Sequence, residues 1–81
     1  MTQDWYFESY ERLCEAVVKQ VVYDYQRALR RLARHPHDEE ALRGKEERER
    51  FFRRDMALYS DLDGEVIIKA IRQRVDKEMK R

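Results

Sequence analysis

For its first 35 residues the sequence holds neither glycine nor proline, and apolar side chains there return in steps of three and four. They fall at Tyr10, Leu13, Cys14, Val17, Val21, Tyr25, Ala28, Leu29 and Leu32, tracing one helical face that Val18 and Val22 widen. The four valines are mildly poor helix formers, yet their spacing does not fit the alternation of a strand. A helix from about Asp4 to Arg34 is therefore predicted. Asp4 would cap it, and Arg27, Arg30, Arg31 and Arg34 suit the negative end of its dipole.

Pro36 sets the first boundary, because the residue before a proline is pushed out of the α region. Asp38 then offers an N-cap, with Glu39 and Glu40 in the first turn of a second helix that would run through Phe51, Phe52 and Met56 to about Tyr59. From Arg43 to Arg50 no apolar residue appears, and Gly44 costs up to about 1 kcal/mol in a helix interior. A solvated or partly frayed first half is expected. Ser60-Asp61-Leu62-Asp63-Gly64 reads as a turn rich in caps. A third helix should follow from about Leu62 to Met79, burying Val66, Ile67, Ala70, Ile71 and Val75, with Met79 at its edge. The expected fold is all-α, a single domain over residues 1–81: a long first helix, a hairpin with the second and a returning third.

Length gives this arrangement a consequence. A helix of some 30 residues is about 45 Å long, whereas a compact chain of 81 residues has a radius of gyration near 12 Å. The helix would overshoot the globule and carry Trp5, Tyr6, Phe7 and Tyr10 with it. Aromatic residues are costly to leave wet, so a homodimer interface is expected there.

Charged residues make up 43% of the chain, yet 18 bases against 17 acids leave a net charge of only +1. Bulk attraction to nucleic acid or anionic lipid is thereby excluded. The charges come in blocks: residues 25–34 hold four arginines, 55–65 hold four acids and no base, and 66–81 hold six bases against two acids. Solvated faces with i,i+4 pairs are the default reading, and register between helices or subunits is the sharper one. One cysteine, the lack of an apolar run of about 20 residues, and an N-terminus unlike a signal peptide point to the cytoplasm and no membrane.

Motifs for chemistry are scarce. His35 and His37 flank Pro36 without a ligand spacing known for zinc. Aligning Gly64 with the invariant glycine of a calcium loop places Tyr59 and Ala70 at ligand positions neither can fill. Cys14 belongs to an apolar stripe, and no P-loop, dinucleotide turn or serine elbow exists. No enzyme activity, metal, cofactor or small-molecule substrate is expected. Two surfaces remain. The acids Asp55, Asp61, Asp63 and Glu65 could meet a basic groove on a partner. Arg27, Arg30, Arg31 and Arg34, with Arg50, Arg53 and Arg54 on the facing helix, could instead meet nucleic-acid phosphates.

The stretch Tyr23-Asp24-Tyr25-Gln26-Arg27-Ala28-Leu29-Arg30-Arg31-Leu32, with His35-Pro36, Glu40-Ala41-Leu42-Arg43, Glu49-Arg50-Phe51-Phe52-Arg53 and Asp61-Leu62-Asp63-Gly64-Glu65, resembles short proteins carried by prophages and integrated elements of Firmicutes. That group continues after the paired phenylalanines with Ser-Asp-Trp-Phe. Here Arg54-Asp55-Met56-Ala57 stands instead, replacing an aromatic anchor. The resemblance implies a phage setting inside a bacterial cell. In that setting small folded proteins block host machinery, such as a CRISPR nuclease, or regulate phage genes.

Overall fold

The computed structural model describes the backbone of residues 2–79 and the side-chain surroundings of residues 12–79. Three helices form: α1 (Thr2–Arg34), α2 (Glu39–Arg50) and α3 (Gly64–Met79), with no strand among the described residues. Since α1 starts at Thr2, Asp4 stands inside the helix and not at its cap. At the other end the chain leaves α1 at Arg34, the expected boundary, and turns through His35-Pro36-His37. Asp38 caps α2, its carboxylate accepting from the Ala41 amide at 3.0 Å. The Arg31 guanidinium grips the same carboxylate, tying the two sides of the turn.

Past Arg50 the backbone stays helical but changes its pitch. Residues Phe51–Asp55 make a π-helical turn, in which the Met56 amide reaches back to the Phe51 carbonyl, and Met56–Leu58 tighten into a 3₁₀ turn. The second helix is thus continuous through Gly44 to Leu58, and its first half is not frayed. The expected solvation is only partial, because Ala41 and Glu49 are buried. Asp63 accepts from the Glu65 amide at 2.9 Å and starts α3 at Gly64, two residues later than expected. The buried face also differs from the expected one, because Gly64 packs against the Phe52 carbonyl. Gly64, Ile68, Ile71 and Val75 point inward, whereas Val66 and Ala70 lie exposed and Ile67 is half-buried.

The core gathers Tyr25, Phe52, Met56, Ile68, Ile71 and Val75, with Val18, Val21, Val22 and Leu29 of α1 packed against it. Tyr25 and Phe52 meet edge to face at 5.6 Å, a geometry that favours aromatic pairs. Cys14 is buried as expected, but Leu13 of the same stripe is exposed.

Side-chain pairs give the register. Arg48 reaches Asp24 and Arg31 reaches Asp38, so α2 runs antiparallel to α1, while Arg30 reaches Glu78 and Arg72 reaches Tyr25, so α3 runs parallel to it. The same register sets the α2–α3 turn beside about residue 13 of α1. The N-terminal turns of α1 project past it, and the molecule measures 52 × 25 × 16 Å with a radius of gyration of 15.0 Å. The overshoot expected from length is present. Trp5, Tyr6, Phe7 and Tyr10 lie outside the residues whose side chains are described.

The two glycines do opposite things. A Cβ on Gly64 would stand 1.8 Å from the Phe52 carbonyl oxygen, so only glycine lets α3 start against the widened turn. A Cβ on Gly44 would meet nothing within 4 Å. Gly44→Ala should therefore raise stability by about 0.5–1 kcal/mol, and Gly64→Ala should lower it by about 3 kcal/mol or more, since backbone must move. Thermal unfolding of the two variants checks both signs; a neutral Gly64→Ala would contradict the packing.

Candidate functional site

The most constrained polar group in the protein is one the sequence reading missed. Glu49 is 7% exposed, on the inner face of α2. It takes a hydrogen bond from the Tyr25 hydroxyl of α1 at 2.6 Å and one from Arg72 Nη2 of α3 at 2.5 Å, both on Oε2. Arg72 Nε also donates to the Tyr25 oxygen at 3.1 Å, closing a triangle across all three helices. Lys45 Nζ and Arg53 Nη1 stand 3.9 and 3.8 Å from the same carboxylate. A signal for Glu49 did exist: 41, 45, 49, 52 and 56 are one helical stripe, and a charge on such a stripe needs partners.

These contacts fix protonation states. Burial alone would raise the Glu49 carboxyl, but hydrogen bonds from Tyr25 and Arg72 and the charge of Lys45 hold it below its ordinary value. Burial, then the bond to Glu49, pushes the Tyr25 hydroxyl up to about 12. An anion and a neutral phenol held this far from neutrality are poor proton-transfer groups near pH 7. The triangle is a structural clamp.

The acidic face is divided by the fold. Asp63 caps α3, and Glu65 accepts from Arg53 Nε at 2.5 Å. Asp55 and Asp61 are exposed, and no cation among the described residues pairs with them. In the same stretch of sequence stand Leu58, Leu62 and Val66, which are 70%, 62% and 63% exposed, and Tyr59 at 38%.

The arginines expected to form one patch form two. Arg27, Arg30, Arg31 and Arg34 line a cleft of about 530 Å³ between the end of α1 and the start of α2. Of these, Arg30 makes a two-pronged pair with Glu78 of α3, at 2.9 and 3.2 Å, and Arg31 holds Asp38, both partners outside the cleft. Arg50, Arg53 and Arg54 line a different depression with Glu46 and Glu49. The antiparallel register is the reason. It sets Arg50 beside about residue 23 of α1, some two helical turns short of Arg30. His35 and His37 are exposed on the turn, and among the described residues no three His, Cys, Asp or Glu side chains converge as a metal site would require.

Removing the Glu49 charge should expose how much rests on it. Glu49→Gln is expected to cost about 2–3 kcal/mol and Tyr25→Phe about 1 kcal/mol in urea unfolding at neutral pH. Because the Glu49 carboxyl is depressed from 4.5, its contribution is full above that pH and is lost as pH falls through the lower native value. Because Tyr25 is raised from 10.0, its contribution is full below pH 10 and is lost as pH climbs toward about 12. Glu49→Gln should flatten the acid limb; an unchanged limb would show that other carboxylates carry it. Compared with protein-family models, curated proteins and solved structures, the chain matches none of them.

Proposed function

We propose that this protein is a small, non-enzymatic interaction protein whose working surface is the α2–α3 turn. One observation carries the reading: Leu58, Leu62 and Val66 stand largely exposed within nine residues, next to the outward carboxylates of Asp55 and Asp61. Buried anchors ringed by charge are the usual anatomy of a protein interface, and an apolar group left in water on a small bundle marks where a partner sits. The fold spends Asp63 and Glu65 on its own cap and ion pair, which leaves Asp55 and Asp61 to steer the encounter. The partner that fits is a protein with an apolar pocket in a basic rim.

The likeness to prophage-borne proteins supports a partner in the bacterial cytoplasm, a host or phage protein such as a defence nuclease, with inhibition as the outcome. The projecting turns of α1 support self-association as well, through the segment that carries Trp5, Tyr6, Phe7 and Tyr10. Sedimentation at micromolar concentration should then give twice the 10.0 kDa chain mass; a monomer throughout would remove the homodimer from the proposal.

A Leu62→Glu, Val66→Glu double variant tests the surface. Both side chains are exposed, so the thermal midpoint should stay within a few degrees. Proteins captured by wild type from a nuclease-treated host lysate should be lost on the variant, and Asp55→Lys with Asp61→Lys should weaken capture most at low salt. Identical capture by all three proteins would sink this surface.

A further inference from the structure

The cleft at the opposite end of the bundle has a chemistry of its own. The geometry points to it as a binding site for the sugar–phosphate backbone of a single nucleic-acid strand, read without regard to sequence. α1 lines it with Arg27, Arg30, Arg31 and Arg34, of which Arg27, Arg31 and Arg34 succeed one another at steps of four and three, and α2 lines it with Arg48. Ala28, Ala41, Gly44 and His35 also line it. Asp24 and Glu40 also line the cleft. Asp24 already pairs with Arg48 at 3.3 Å, and Asp38 outside it pairs with Arg31. Arg27 and Arg34 have no carboxylate within 4.0 Å among the described residues. Of the five arginines around the concavity, Arg30, Arg31 and Arg48 already hold Glu78, Asp38 and Asp24, and Arg27 and Arg34 remain to meet a ligand.

Size and spacing select the ligand. The ridge from Arg27 to Arg34 is about 10 Å long, and adjacent phosphates of a single strand stand farther apart than the axial rise of about 3.4 Å in a duplex, so about two phosphates fall along it. Guanidinium forks match the paired oxygens of phosphate, and a row of them suits a polymer of evenly spaced anions better than one isolated ion. No Phe, Tyr or Trp lines the cleft, and the His35 imidazole is the one ring in its lining, so contact with bases is minor beside contact with the backbone. Gly44 adds an independent point. It weakens α2, and no neighbour occupies the space its side chain would take. Clearance for a ligand backbone explains a glycine that packing does not require.

The test uses anisotropy of a fluorescein-labelled oligo-dT of about 20 nucleotides, with polyglutamate of similar length as competitor. Two neutralised phosphates give a slope of log K against log salt of about −1.4, a loss of about sevenfold between about 50 and about 200 mM. Arg27→Glu with Arg34→Glu should weaken binding at low salt at least about tenfold and reduce the slope by about 1.4. Gly44→Met alters no charge and replaces a poor helix former, so it should raise the thermal midpoint while weakening binding by about fivefold or more. Arg50→Glu with Arg54→Glu should change affinity by less than about twofold, as should the Leu62→Glu, Val66→Glu variant that tests the other surface. Three results would each overturn the proposal: no binding of the oligonucleotide, equal competition by polyglutamate, or equal damage from the Arg50 and Arg54 reversals. Unaltered binding by Gly44→Met would overturn the cleft as the place of contact.

Discussion

A carboxylate can sit inside a bundle of this size only if every helix around it contributes to keeping it there. Glu49 takes a hydroxyl from α1 and a guanidinium from α3, while its own helix brings Lys45 and Arg53 close. Replacing such a cluster by apolar residues is often neutral or stabilising, but removing one member alone is expensive. What the cluster supplies is specificity of arrangement. Apolar stripes of three amphipathic helices can slide or rotate against each other at little cost. Here a shift of one turn would strand a buried charge. The register that projects α1, opens the cleft and presents the α2–α3 turn therefore follows from where Glu49 must be.

Local chemistry wrote much of the fold into the sequence. Pro36 and Asp38 place the hairpin turn because their backbone and capping preferences act over two or three residues. The length of α1 follows from an unbroken period. What could not be read is what depends on three helices at once. Ile68 is buried and Val66 exposed because α3 starts at Gly64, where the Phe52 carbonyl leaves no room for a side chain. No property of residues 62–79 taken alone contains that contact. The π-helical turn is similar: Phe51–Asp55 have ordinary helical preferences, and the widened pitch lies where Gly64 of α3 packs against the Phe52 carbonyl.

Site residues divide along the same line. Charge runs were legible as runs, but their fates were not. Arg30, Arg31, Arg53, Asp63 and Glu65 are absorbed by the fold, leaving Arg27, Arg34, Arg50, Arg54, Asp55 and Asp61 facing outward. Linear charge blocks over-count functional surface, because antiparallel helices bring opposite blocks together and cancel them. The residue that matters most to the architecture looked like one more glutamate in a solvated stretch.

The closing of the clamp by α3 also bears on how the chain is made. Synthesis delivers α1 and α2 first, and domains in general begin to fold from the N-terminal side. This hairpin has no way to finish early. Until Arg72 arrives, Glu49 and the Tyr25 hydroxyl would have to be buried without their cation, and Ile68, Ile71 and Val75 would be missing from the core. Native structure must wait for α3, so a ribosome that stops before it releases a product with an open core and an unpaired acid. Such a product is a ready substrate for proteolysis, and only copies that include α3 would accumulate.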